Sequence, residues 1–224
     1  MDFIFMLTRS DRTIEDCLTV FDEIAPLGLR HVGFKDVGVP PATLRALTDA
    51  IRATGALSYM EVVSTSPEAA LNSARVARDL GIDRLLGGTQ IFETMQILKG
   101  SNTAYYPFPG KPAGHPTKLG GSPADVEEQS ASFMAMGCAG ADLLAYRATE
   151  ADPIALVKAA RRGLGKGFLI VAGSVSSRER VKAVAEAGAD AFTIGSAVFD
   201  QSYSPTKGSI RSQLSAVLED CMAA

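Results

Sequence analysis

The stretch LIVAGSVSSRERVKAVAEAGADAFTIGSAVFD, residues 169–200, decides the fold. Two apolar runs each end in Gly-Ser, first at Gly173-Ser174 and then at Gly195-Ser196. Each run has the length and continuity of a strand covered on both faces. The first corner opens into a helix of about a dozen residues, Ser176–Gly188, and the second into a shorter one. A strand, a glycine corner, a helix and another strand make a βα unit. Two of them in succession with no turn back predict parallel pairing.

The same rhythm runs outward from this stretch to both ends of the chain. Strands are expected at DFIFMLT (2–8), LRHVGFK (29–35), ALSYMEVV (56–63), DRLLGG (83–88), TAYYPFP (103–109), DLLAYR (142–147), FLIVAG (168–173) and AFTIGS (191–196). Amphipathic helices fill most of the gaps, at 13–28, 41–55, 66–81, 122–137, 152–165 and 176–188. Ser66-Pro67, Ser122-Pro123 and Asp152-Pro153 read as N-caps followed by proline in the first turn. Gly28, Gly55, Gly81 and Gly188 read as helix ends. GLRHVG at 28, GIDRLLGG at 81, GADLLAY at 140 and GADAFTIG at 188 resemble one another, at spacings near twice a βα unit. Eight parallel strands in one chain predict a (β/α)8 TIM barrel occupying residues 1–224 as one domain. A doubly wound open sheet is the alternative, and no G-x-G-x-x-G follows the first strand to support it. The terminal SQLSAVLEDCMAA reads as the helix that closes the barrel.

Composition narrows the function. The 224 residues are 46% hydrophobic with a net charge of −3, enough for a large core and without the basic face of a nucleic-acid or membrane-surface binder. The N-terminal MDFIFMLTRSD is too short for a membrane span and lacks a basic leader. Three scattered cysteines point to reduced thiols and a cytoplasmic protein. The two histidines have no neighbours at metal-ligand spacing, so neither a metal site nor a cofactor is expected. The number of subunits is open, and self-association is compatible with the apolar helix faces.

In a (β/α)8 barrel the loops after the seventh and eighth strands lie side by side at the catalytic face. Glycine lets backbone N–H groups approach an anion closely, serine adds a hydroxyl, and a helix start adds unpaired N–H groups. Gly173, Ser174, Gly195 and Ser196 are therefore the candidate phosphate site. The competing reading is that both corners are turns without a ligand.

IVAGSVSSRERVKAVAEAGADAFTIGSAVF resembles the last quarter of the ribulose-phosphate-binding barrels. That superfamily includes enzymes of histidine and tryptophan biosynthesis and the N-acetylmannosamine-6-phosphate epimerases. The likeness is specific over roughly residues 167 to 200 and architectural elsewhere. It implies that Gly173, Ser174, Gly195 and Ser196 hold the phosphate of a small substrate. The usual Gly-Gly of the first corner is Gly-Ser here. The Asp-x-Lys-x-x-Asp signature of the decarboxylase branch is absent from FKDVG.

Polar residues late in the strands are the catalytic candidates. Lys35 and Glu61 end two strongly apolar neighbouring strands, where a charge is costly unless paired or functional. A lysine of lowered pKa beside a carboxylate suits acid–base or imine chemistry on a sugar phosphate. A structural ion pair is the competing reading. The long Gly/Pro-rich segment 105–123 carries Lys111, His115 and Lys118 and reads as a substrate loop. Arg9, Lys111, His115 and Arg147 are candidate substrate-binding residues, with Glu150 or Asp152 as alternative local partners for Arg147. Asp11 and Arg12, in SDRT, read first as capping residues of the next helix.

The leading expectation is an enzyme acting on a small phosphorylated sugar-like compound without metal or redox cofactor, as isomerase, epimerase or aldolase/lyase. The alternatives are a non-catalytic phosphate-ligand sensor, resembling glycerol-phosphate-responsive antiterminator barrels, and a scaffold with an empty site.

Overall fold

A computed structural model describes residues 1–63 and 66–223. Eight parallel strands form one sheet: β1 (Asp2–Met6), β2 (His31–Lys35), β3 (Leu57–Glu61), β4 (Arg84–Leu86), β5 (Ala104–Tyr106), β6 (Gly140–Leu143), β7 (Phe168–Val171) and β8 (Ala191–Ile194). Their order in space is β6-β7-β8-β1-β2-β3-β4-β5. The two ends meet through Ala139 N donating to Tyr105 O and Asp142 N donating to Pro107 O, both at 3.0 Å. The sheet is thus a nearly closed (β/α)8 barrel, as the eight apolar runs predict.

Helices α1 (Cys17–Ile24), α2 (Pro41–Ala53), α3 (Pro67–Leu80), α4 (Ile91–Leu98), α5 (Pro123–Ala135), α6 (Pro153–Leu164) and α7 (Arg178–Glu186) follow the first seven strands. The eighth is followed by the one-turn α8 (Ser196–Phe199) and by α9 (Ile210–Ala223). Ala224, the end of the expected closing helix, lies outside the described residues. The expected caps form: Ser66, Ser122 and Asp152 accept from Ala69 N, Asp125 N and Ala155 N, and a proline follows each cap. No helix among the described residues is long and apolar enough to cross a membrane.

The first helix starts later than the sequence pattern predicts. Arg12–Thr13 pairs back on Thr8–Arg9 as a small antiparallel hairpin, so α1 begins only at Cys17. TRSDRT is a two-residue turn between short strands, where the sequence reads as a helix start.

Strand register fixes which side chains enter the barrel. Residues paired across parallel strands point to the same side. One rung runs Lys35, Glu61, Leu86, Tyr106, and the rung below it runs Gly33, Tyr59, Arg84, Ala104. Ile4, Met6, Tyr59, Leu86, Tyr106, Ile170 and Ala191 form the interior cluster. The alternate residues, such as Phe5, Val32, Phe34, Met60, Leu85, Leu169 and Phe192, pack outward under the helices. Gly33 leaves the interior space that Met6 and Tyr59 fill, because a Cβ there would strike the Met6 sulfur. Arg84 fills the lower part of the barrel, its guanidinium 5.0–5.5 Å from the ring centroids of Phe168, Tyr59 and Tyr106. Nη1 of the same residue donates to Tyr106 Oη at 2.6 Å. With the lower end filled, the open end is the one where Lys35 and Glu61 stand.

Candidate active site

A cavity of about 300 Å³ opens at the C-terminal ends of the strands. Thr8, Asp11, Lys35, Glu61 and Arg147 line it together with the loops Gly173–Ser176 and Gly195–Ala197. The catalytic pair and both Gly-Ser corners therefore face one space.

Lys35 and Glu61 point inward, side by side on neighbouring strands. Lys35 Nζ is 3.1 Å from Glu61 Oε1 and 2.8 Å from Asp11 Oδ1. All three residues are buried. The Lys35 backbone is held as well: Thr13 Oγ1 donates to its carbonyl at 2.7 Å and accepts from its N–H at 2.9 Å. Arg147 grips Asp11 with two parallel bonds, Nη1 to Oδ2 at 2.8 Å and Nη2 to Oδ1 at 2.7 Å, and Nη1 also donates to Thr117 O at 3.2 Å. Asp11 thus bridges two cations. The local alternatives for Arg147 are not used: Glu150 accepts from Gly121 N instead, and Asp152 caps α6.

Asp11 reaches this position through its turn. Ser10 and Asp11 both take left-handed backbone angles, φ 50° and 58°, as a two-residue hairpin loop with a matching twist requires. Neither is glycine, so the turn carries backbone strain at the mouth of the site. The sequence signal for it is the pair of short polar strands around Ser-Asp, which the capping pattern obscures.

The charges set one another. Burial works against the Lys35 ammonium, but the Coulomb pull of Glu61 and then Asp11, with their hydrogen bonds, raises its pKa above the ordinary lysine value. This corrects the expectation of a lysine with lowered pKa. Burial alone would raise Asp11, yet the hydrogen bond from Arg147 and the charge of Lys35 hold its carboxyl far below the usual carboxylate range.

At the first Gly-Ser corner, Gly173 and Ser174 both have positive φ, 78° and 74°. Arg180 holds this corner: its Nη1 donates to Ser174 O at 2.6 Å, and its guanidinium lies 4.5 Å from the Tyr146 ring centroid. Gly195 is required by closeness instead. A Cβ on it would lie 2.5 Å from Thr8 Oγ1 and 2.8 Å from Thr8 O. Among the described residues, the backbone N–H groups of Gly173, Ser174, Val175 and Ser176, and those of Ser196 and Ala197, donate no hydrogen bond. Two rows of free donors thus border the cavity. The carboxylate at this end, Asp200, is paired with Arg9 at 2.7 Å.

The remaining candidates stand apart. Arg9 is 60% exposed and lies behind Asp200 rather than on the cavity wall. Lys111 is exposed and 3.6 Å from Asp125 Oδ2, and His115 is exposed, so neither lines the cavity. Their segment forms a hairpin, Lys111–Ala113 with Lys118–Gly120. Lys118 borders an adjoining open hollow that shares Arg147 and Ser174 with the main cavity. Among the described residues, no cluster of three His, Cys, Asp or Glu side chains is arranged to hold a metal ion.

The likeness to known proteins is one of shape. No protein-family model matches the chain, and no curated protein is similar to it in sequence. Among solved structures it is similar to orotidine 5'-phosphate decarboxylase from Pyrococcus horikoshii OT3, at 14% identity and TM-score 0.63, covering 99% of this chain and 100% of that one. It is similar to a structure described as "Native KDPGal structure", at 14% identity and TM-score 0.68, covering 99% and 97%. It is also similar to the BexX/CysO complex of Amycolatopsis orientalis, at 17% identity and TM-score 0.62, covering 99% and 89%. At such identities the comparisons establish the fold alone: this chain is a (β/α)8 barrel of the same architecture.

Proposed function

We propose that the protein is an enzyme acting on a small phosphorylated sugar or sugar-like compound, and that it moves a proton next to a carbonyl group. One observation carries this reading: the free backbone donors of the two Gly-Ser corners and the Lys35–Glu61 pair share one cavity of about 300 Å³. That space suits a phosphate at one end and a carbonyl at the other. Orotidine 5'-phosphate decarboxylase, by its name an enzyme of a phosphorylated substrate, has the same fold and supports the reading by analogy.

In this account the phosphate accepts hydrogen bonds from the amides of Gly173–Ser176, Ser196 and Ala197 and from the serine hydroxyls. Lys35, an ammonium, donates to the substrate carbonyl oxygen. The Glu61 carboxylate removes the proton from the adjacent carbon. The C–H bond breaks, its proton passes to Glu61, its electron pair forms the C=C bond, and the oxygen becomes an enolate stabilised by Lys35. A solvent proton delivered to the opposite face of that carbon gives an epimer; return of the proton to the former carbonyl carbon, with the proton of the neighbouring hydroxyl passing to the enolate oxygen, gives an isomer. Asp11 keeps Lys35 charged and aimed, and Arg147 holds Asp11 in place. A carbon–carbon lyase through an imine is less well supported, because Lys35 would first have to surrender a proton that two carboxylates stabilise.

A second reading, a phosphate-responsive sensor without turnover, is favoured by the saturation of Lys35, which both carboxylates already engage. Solvent deuterium exchange into a panel of ketose and amino-sugar phosphates separates the two. An enzyme of this kind labels the carbon next to the carbonyl, whereas a sensor binds without labelling.

A further inference from the structure

Phe92, in the first turn of α4, is 67% exposed, so most of an aromatic ring meets water. Glu93, Gln96 and Lys99 are exposed with it, and Met95 is half-buried beside them. The other face of the helix, with Thr94 and Leu98, is buried. At the foot of α4 a groove of about 300 Å³ opens, lined by Met95, Leu98, Gly100, Tyr105, Gly137 and Ala139 among others. Its floor is free at Gly100, where a Cβ would meet nothing within 4 Å. The groove lies at the seam of the barrel. There α4 packs on α3 and α5 on α6, and β5 and β6 meet through backbone bonds without a ladder. Met136, next to Gly137, is exposed as well.

The charges on this face are arranged symmetrically. Gln96 stands at its centre. Glu93 lies three residues before it, about 60° to one side of the helix axis and about 4.5 Å toward the N-terminus. Lys99 lies three residues after it, about 60° to the other side and about 4.5 Å toward the C-terminus. Neither Glu93 nor Lys99 forms an ion pair among the described residues. A two-fold axis through Gln96, perpendicular to the helix, carries the acid of one copy onto the base of another and the base onto the acid. The same axis carries Phe92 to the level of Gly100, where the groove is. Such self-complementarity is what an isologous contact requires, and an unlike partner does not call for it.

We propose that two copies of this chain pair through α4, with the two helices antiparallel about a two-fold axis at Gln96. Phe92 of each copy fills the groove at the foot of α4 in the other, as a central aromatic anchor in a pocket. Glu93 of each copy meets Lys99 of the partner subunit at the rim and fixes the register. The two Gln96 side chains face each other at the axis. The pairing covers the apolar seam of both barrels. None of these residues lines the candidate active-site cavity, so the pairing is independent of what that site does.

The experiment is sedimentation equilibrium of the whole chain over about a 100-fold range of concentration, since self-association follows mass action. Wild type should fit a monomer–dimer equilibrium. Phe92→Asp should sediment as a monomer, with an unchanged circular dichroism spectrum because the ring is exposed. Glu93→Lys and Lys99→Glu should each weaken the dimer about 10-fold or more, because each sets like charges against one another at two symmetric places. The double swap, Glu93→Lys with Lys99→Glu, should return the dissociation constant to within about threefold of wild type, since the pair is then reversed and intact. A wild type that stays monomeric throughout overturns the proposal and leaves the face for an unlike partner. A dimer that Phe92→Asp does not weaken overturns it as well, because the contact then lies elsewhere. Single reversals that weaken the dimer without restoration in the double swap overturn the two-fold pairing about Gln96.

Discussion

Asp11 Oδ1 lies 2.8 Å from Lys35 Nζ and 2.7 Å from Arg147 Nη2, so one carboxylate oxygen from a two-residue turn joins the cation of the second strand to the cation that follows the sixth. The three residues tie opposite sides of the barrel mouth together. Their charges are mutually dependent, and removing the middle member exposes both cations to an uncompensated burial cost.

Asp11→Asn should therefore destabilise the fold by about 3 kcal/mol, the usual cost of breaking a buried ion pair by removing one partner. Denaturant midpoints at constant m-value are the measurement. A change under about 0.5 kcal/mol would mean that the network is not a structural support.

The pH dependence follows from the direction of each shift. Asp11 has a depressed pKa in the fold, so its contribution is present above the unfolded carboxylate value of about 4 and is lost as pH falls below that toward the folded value. Lys35 has a raised pKa, so its contribution is present below the unfolded lysine value of about 10.4 and is lost as pH rises through the folded one. Asp142 works the other way. It keeps its proton in the fold above the pH at which the unfolded chain loses it, so it costs stability increasingly as pH rises past about 4. Asp142→Asn should be stabilised relative to wild type at pH 8 and close to it at pH 3, by thermal melts at both values. Equal destabilisation at both would identify Asp142 as a packing residue.

Gly195→Ala tests the close approach of β8 to the first hairpin. The added methyl meets Thr8 Oγ1 and the Thr8 carbonyl, so the backbone must move. The expected cost is about 1–3 kcal/mol, as for overpacking elsewhere. It should come with weaker binding of phosphate esters. A protein of wild-type stability would show that the corner is looser than its geometry.

Ser196→Asp adds a negative charge beside the free N–H groups of the second corner. Calorimetry should detect no binding of a phosphate ester, while circular dichroism stays unchanged because Ser196 lies at the cavity rim. Retained affinity would remove the phosphate from this corner.

The barrel was legible because all eight strands are short apolar runs bounded by glycine or capped helices, and parallel pairing needs that pattern. Lys35 and Glu61 stood out as charges within apolar strands, but which face they entered became clear only from the register with Leu86 and Tyr106. Asp11 was obscured because Ser-Asp serves equally as a helix start and as a tight turn, and only pairing of Thr8–Arg9 with Arg12–Thr13 distinguishes them. Asp142 was hidden at the start of an apolar run, where an aspartate after a helix-ending segment reads as a solvated strand end. Lys111 and His115 drew attention by their loop, whose hairpin turns them outward.

The central claim is a phosphate held by the two Gly-Ser corners in the cavity that Lys35 and Glu61 also line. Its most direct test is a thermal-shift comparison of pentose, hexose, amino-sugar and glycerol phosphates, each beside its unphosphorylated parent, on wild type and Ser196→Asp. At 100 times its dissociation constant a ligand adds about 2.7 kcal/mol of stability, a shift of a few degrees in a domain of this size. The account predicts that at least one phosphate ester raises the melting temperature, that its parent does not, and that Ser196→Asp abolishes the effect. No shift with any ester, or equal shifts with ester and parent, would contradict it.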